Sequence, residues 1–112
     1  MIYESAVIAA TSADVLNGTR LNAIPYNGTL ILDFQASLAD ATNSYALTIQ
    51  LPNGDVPVDT QIVPANNPAL GGVLDERTLL RFSFRATQGG HFTISLTESG
   101  TAIAMWRAVL KP

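Results

Sequence analysis

The chain has 112 residues, no cysteine and a formal net charge of −3. That length suits one domain with its own core and excludes two of ordinary size; the missing thiols exclude disulfides and thiolate metal sites. Five of the six cations are Arg, Lys111 is the only Lys, and no basic patch marks a nucleic-acid surface.

The charged fraction is 13 %, about half the usual value. Thr, Asn, Ser, Gln and Ala take the place of the missing charges. A neutral, polar exterior suits a chain that spends its life packed against other chains. It also suits a small β-protein with an uncharged surface.

Residues 1–11 are apolar apart from Glu4, Ser5 and Thr11, with Ile2, Tyr3, Val7 and Ile8 the bulky members. They read as a strand or as an N-terminal arm. An exposed terminus this apolar is sticky unless tied down, so it is expected to contact another subunit, pairing with a neighbour's sheet edge. The opening MIYES has no basic region, and no later run is apolar and long enough for a signal peptide or membrane span. The expectation is a chain outside the secretory pathway and off the membrane.

Val15-Leu16 is a short strand candidate. The tripeptide NGT then occurs twice, at Asn17-Gly18-Thr19 and Asn27-Gly28-Thr29. Each copy fits the acceptor pattern for N-linked sugar. Each is also a turn signal, because Asn and Gly tolerate positive φ. Outside a secretory pathway the turn reading prevails, and Asn27-Gly28 is expected to turn the chain into its longest alternating run.

That run is TLILDFQASL. Leu30, Leu32, Phe34, Ala36 and Leu38 share one face; Ile31, Asp33, Gln35 and Ser37 share the other. After a polar loop, Tyr45, Leu47, Ile49 and Leu51 alternate with Ala46, Thr48 and Gln50. The spacing predicts that these two runs form a hairpin. Pro52-Asn53-Gly54-Asp55 ends the second, with Asn-Gly favouring a type I′ turn. Residues 56–63 carry Pro57 and read as an edge strand or extended connection, and residues 65–72 as a loop.

Residues 78–86 place Leu80, Phe82, Phe84 and Ala86 opposite Leu79, Arg81, Ser83 and Arg85. Gln88-Gly89-Gly90 turns the chain into residues 91–97, with Phe92, Ile94 and Leu96 inward. Glu98-Ser99-Gly100 turns it again into residues 101–110. There Trp106 shares parity with Ala102, Ala104, Ala108 and Leu110, while Ile103, Met105 and Val109 lie opposite. This last strand is apolar on both faces. Either the domain covers both, or one meets a partner.

No segment carries a helix pattern. Residues 36–46 are Ala-rich, but a helix there would break both flanking alternations. Seven or eight strands with turns every 8–12 residues argue one all-β domain over residues 1–112, an antiparallel β-sandwich or small barrel. Its expected core is Leu30, Leu32, Phe34, Leu47, Ile49, Leu80, Phe82, Phe84, Phe92, Ile94 and Leu96.

Chemistry-bearing clusters are few. His91, the single histidine, takes the outward parity after a turn. No nucleophile arrangement surrounds it, so it reads as an exposed strand end. Asp55 and Asp59, and Asp75-Glu76, are loop acids of a kind that calcium sites use, but without such spacing they read as turn residues. Gly71-Gly72 and Gly89-Gly90 lack the helix start of a phosphate loop. Asp33 is expected to pair with an Arg across the sheet. Among the rings, Tyr3, Tyr26, Tyr45 and Trp106 are candidate sugar platforms, and a lone Trp reads rather as core. No catalytic residue, metal or cofactor is expected, and an enzyme is the least favoured class.

The stretches TSADVLNGTRLNAIPYNGTL, DATNSYALTIQLPNGDVPVD and QGGHFTISLTESGTAIAMWRAVL resemble small structural proteins of tailed bacteriophages. In particular the chain is similar to the capsid decoration, or cement, proteins that coat the phage head. The similarity is one of style over most of the chain: length, absent Cys, few Lys, Thr- and Asn-rich strands, Asn-Gly turns. It implies a jelly-roll-like β-sandwich, made in the host cytoplasm and carried on the capsid exterior. It also implies self-association into dimers or trimers and a major capsid protein as partner, with neighbouring capsomers bridged. Two other readings are a carbohydrate-binding or adhesin module of a fibre or tail tip, and a domain of a larger secreted protein.

Arg77, Arg81 and Arg85 put three Arg in nine residues of a poorly charged chain. Arg suits interfaces because its planar fork makes paired hydrogen bonds and is weakly hydrated. The row is expected to anchor the partner surface together with Ile2, Tyr3, Val7 and Ile8. The plainer reading pairs these Arg loosely with acids such as Asp33.

Overall fold

A computed structural model describes residues 1–8, 12–38, 44–62, 65–66, 80–99 and 102–112. Every regular element among them is a strand: β1 (Ile2–Ile8), β2 (Gly28–Leu38), β3 (Ser44–Gln50), β4 (Val58–Ile62), β5 (Ala65–Asn66), β6 (Leu80–Ala86), β7 (Thr93–Ser99) and β8 (Ala102–Lys111). The chain is all-β over these residues, as its period-2 patterning requires.

The strands form two sheets. In the first, β1, β8 and β2 follow one another and β6 flanks the far side of β2, all antiparallel; β5 makes a short parallel contact with the end of β2. In the second, the order is β4-β3-β7, again antiparallel. Ser12 bridges Leu96 of β7, and the Val15 amide donates to the Ile94 carbonyl at 2.9 Å. The stretch 12–15 therefore lies along the free side of β7. In chain order the path runs from β1 in the first sheet to 12–15 beside the second, then β2 in the first, β3 and β4 in the second, β6 in the first, β7 in the second and β8 in the first.

The expected hairpin between residues 29–38 and 45–51 does not form. β2 and β3 lie in different sheets. Both carry one apolar face into the same core, Leu30, Leu32 and Phe34 from one side and Leu47 and Ile49 from the other. Alternation dictates which face turns inward. It is silent on whether the next strand lies beside or across.

The buried cluster also holds Phe92, Ile94, Leu96, Ala86, Trp106, Ala108 and Leu110, so Trp106 is core rather than a sugar platform. Leu80, Phe82 and Phe84 are only partly buried, because β6 is an outer strand of its sheet. Aromatic rings form a row from Phe34 through Phe82 and Phe84 to Phe92, with centroids 6.4, 6.5 and 5.9 Å apart. Those spacings lie in the range where aromatic pairs attract beyond simple burial. Val15, Leu16, Leu21 and Ile24 complete the core from the connection before β2. Val15-Leu16 is a turn, not the strand its composition suggested.

The three Asn-Gly pairs do different work. Gly18 takes φ +81° in a turn closed by the Thr19 amide on the Leu16 carbonyl, 3.1 Å. Gly28 has no positive φ; a side chain there would collide with the Lys111 backbone carbonyl, so the residue permits close strand approach. The turn after β3 is not type I′. Pro52 holds φ negative and Asn53 has no positive φ, leaving only Gly54 left-handed at φ +91°. Gly54 N–H donates to Leu51 C=O at 2.9 Å and Leu51 N–H to Asp55 C=O at 2.8 Å, the pattern of a tight turn followed by a glycine bulge.

Of residues 1–11, read as a strand or an arm expected to pair with a neighbour's sheet edge, Ile2–Ile8 form β1 and pair along their whole length with β8 of the same chain, from Ile2↔Leu110 to Ile8↔Ala104; residues 9–11 lie outside the described residues.

Two truncations test the register by chemical denaturation. Phe34→Ala, at a site 1 % exposed, is expected to cost about 3–5 kcal/mol. Phe82→Ala, at a partly buried site, is expected to cost clearly less. Equal losses would place the two rings wrongly.

Candidate functional site

The side of the first sheet turned away from the core gathers Arg81, Arg85, Arg107 and Lys111. Register sets three rows across it: Lys111, Thr29 and Arg85; Tyr3, Val109, Ile31 and Ser83; and Ser5, Arg107, Asp33 and Arg81. Across these rows lies a depression of about 210 Å³, lined by Tyr3, Ile31, Asp33, Arg81, Arg107, Val109 and Lys111.

Asp33 is its centre. The carboxylate is 1 % exposed, although the side chain points away from the core. Arg81, directly opposite on β6, donates from Nε to Oδ1 at 2.6 Å and from Nη2 to Oδ2 at 3.3 Å. Arg107, opposite on β8, donates from Nε and Nη2 to Oδ2 at 3.1 and 2.7 Å. Two planar forks thus cover one carboxylate from either side, the arrangement that makes a buried charge tolerable. The Arg81 side chain stays 55 % exposed and that of Arg107 27 %. The expected partner for Asp33 is present, but the loose surface pairing is corrected: with the carboxylate covered, the cluster is ordered. The second Arg was missed. Arg107 is 74 residues from Asp33, and only the β2–β8 ladder makes them neighbours.

Met105 and Val109 share this outer parity and are nevertheless buried. At these two positions the chain itself covers both faces of β8.

Of the other expected interface residues, Tyr3 points outward and is 56 % exposed. Ile2 packs partly against the core of its own chain. Val7 and Ile8 pair through their backbones with Met105 and Ala104; their side chains, like that of Tyr45, lie outside the description. Arg77, Asp75 and Glu76 fall outside the described residues. Arg85 is exposed and lines a second cleft, of about 360 Å³, with Leu51, Pro52, Asn53, Phe84, Thr87, Gly90 and Phe92.

His91 stands just before β7 with its side chain 40 % exposed, as an exposed strand end would, but both ring nitrogens are engaged. Its Nδ1 donates to the Asn22 carbonyl at 2.5 Å and its Nε2 faces Asp14 Oδ2 at 2.7 Å. Asp14 uses its other oxygen to accept from the Leu16 amide at 3.1 Å. The ring therefore ties the connection 12–27 to the start of β7. A carbonyl and a carboxylate both accept, so the protonated ring satisfies both. The Asn22 carbonyl raises the His91 pKa above 6.5, slight burial opposes it, and the Asp14 hydrogen bond and charge raise it further. Between those two anchor points, Arg20 Nε pairs with Glu4 Oε1 at 2.5 Å and its Nη2 donates to the Tyr3 carbonyl at 2.6 Å. That bond occupies a backbone acceptor on the outer side of β1.

Among the described residues no group of three or more His, Cys, Asp or Glu could hold a metal ion. Asp55 serves its turn, accepting from Asn53 Nδ2 at 3.0 Å. No helix of the described structure is long and apolar enough to cross a membrane. No protein-family model matches the chain, and no curated protein is significantly similar to it.

Two measurements test this geometry. Arg81→Gln with Arg107→Gln leaves Asp33 buried and charged without a cation; this is expected to cost about 3–5 kcal/mol, and adding Asp33→Asn is expected to return most of it. His91 binds its proton more tightly folded than unfolded. Its stabilisation is therefore complete below the unfolded pKa near 6.5 and is lost as pH rises through the folded pKa. Thermal melts between pH 6 and 9 should show a fall in Tm that His91→Gln removes.

Proposed function

We propose that the chain is a structural virion protein that decorates the outside of a phage capsid and bridges neighbouring capsid subunits, docking through the outer face of its first sheet. The observation that carries the docking surface is the Asp33–Arg81–Arg107 cluster. A buried carboxylate fixes the guanidinium of Arg81 while the side chain as a whole stays more than half exposed, so part of its ordering cost is met before a partner arrives. Beside it stand the exposed Tyr3 ring and the partly buried Ile31. Tyr and Arg with an apolar neighbour are the residue types that dominate binding energy at protein interfaces.

The fold is read as a jelly-roll β-sandwich. Supporting this is the alternation of successive strands between sheets and the neighbour orders β1-β8-β2-β6 and 12–15-β7-β3-β4, which are those of two interleaved Greek keys. Jelly rolls occur in viral capsid proteins and in lectins alike, so the fold by itself does not choose a function. The capsid reading rests on the resemblance of the sequence to decoration proteins. The alternative, a carbohydrate-binding module of a fibre or tail tip, draws on the exposed Tyr3 ring as a stacking platform.

The test is co-sedimentation with heads assembled from the major capsid protein encoded alongside this chain. Saturable binding at a fixed number of copies per capsid subunit is expected. Tyr3→Ala with Arg81→Gln should weaken it at least tenfold, about 1.4 kcal/mol, with the β-fold retained. Binding untouched by the pair removes the outer face from the contact. Glycan binding without head binding favours the sugar-binding module.

A further inference from the structure

We propose that the cleft beside Arg85 receives the Asp55-Val56-Pro57 segment of a second copy of this chain, and that two copies pair about a two-fold axis with each segment in the other's cleft. This surface is separate from the Asp33 cluster, and the inference does not rest on capsid docking.

The cleft lies where two turns meet. The Leu51–Asp55 turn forms one wall, and Gly90, which ends the turn from Thr87, sits close beneath the Pro52 ring. Phe84 and Phe92 supply the floor, so most of the lining is apolar. Its volume of about 360 Å³ falls within the range of specific binding clefts. Arg85 stands at the rim. Among the described residues it has no ion-pair partner, and none of those that line the cleft is acidic. The site therefore asks for an apolar group next to a carboxylate.

The chain presents that combination immediately beyond the same turn. Val56, 51 % exposed, is one of three exposed large apolar side chains among the described residues, with Met1 and Tyr3. Asp55 precedes it and the exposed Pro57 follows. Within its own chain the Asp55 side chain meets Asn53, not Arg85. A projecting group beside a complementary hollow is the pattern of a self-complementary two-fold contact, in which each copy offers both parts. Two Asp55–Arg85 pairs would then flank two buried Val56 side chains.

Sedimentation velocity with charge-reversed variants tests this directly. The wild-type chain is expected to dimerise. Arg85→Asp places Asp against Asp across the axis, and Asp55→Lys places Lys against Arg; each variant alone should dissociate at least tenfold more readily while keeping a wild-type β-fold by circular dichroism. Mixed one to one, the two variants oppose the introduced Asp to the introduced Lys at one contact and retain the native Asp55–Arg85 pair at the other, so a heterodimer should form. Recovery on mixing supports contact between copies. A wild-type monomer at all concentrations, a trimer, dimers unaffected by either change, or variants that stay monomeric when mixed would each overturn the proposal. Head binding by the Asp55→Lys variant, whose changed residue lies in the turn after β3 and not on the outer face of the first sheet, is a separate readout, so failure here and failure of the capsid reading are distinguishable.

Discussion

The ladder between β2 and β8 is the constraint on which the rest of the structure depends. Ten residue pairs run from Thr29↔Lys111 to Leu38↔Ala102, joining an early strand to the last one. β1 hangs on the outer side of β8, and β6 on the outer side of β2. The inner faces of the two central strands carry Leu30, Leu32, Phe34, Trp106, Ala108 and Leu110 into the core. Closing such a long loop costs chain entropy before any contact repays it, so the ladder is expected to form with the core rather than ahead of it. Gly28 lets its end close against the Lys111 carbonyl.

The same ladder builds the outer face. It brings Arg107 alongside Asp33, and the β2–β6 ladder brings Arg81 to the other side. One carboxylate thereby links three strands through charge-assisted hydrogen bonds. A carboxylate covered to this degree is unstable without its cations, so the cluster ties the spacing of the sheet to the position of two guanidiniums. Structural order and the candidate docking surface have one physical origin.

The connection 12–27 contributes what no strand does. Val15, Leu16, Leu21 and Ile24 enter the core, while His91 holds the segment at Asp14 and Asn22 and Arg20, between them, ties it to β1. These four apolar residues follow no period, because their backbone turns rather than alternating. Their legible signal was weaker: apolar residues set between Asn, Gly and Thr at turn spacing.

From the sequence alone came the side to which each strand residue turns. Leu30, Leu32 and Phe34 inward, Asp33 outward, and the mixed apolar character of β8 all follow from a side-chain period of two, which the local backbone imposes without any neighbour. The outward Arg81 and Arg85 were legible on the same ground. The edge position of β4 was legible from Pro57, which immediately precedes it. Which strands stand side by side was decided only in three dimensions. The placement of β2 and β3 across the core, the second Arg on Asp33, the partners of His91 and the cleft between two turns all join residues far apart in the chain. Parity carries no information about such pairings, because any strand with one apolar face satisfies it equally well beside a neighbour or opposite one.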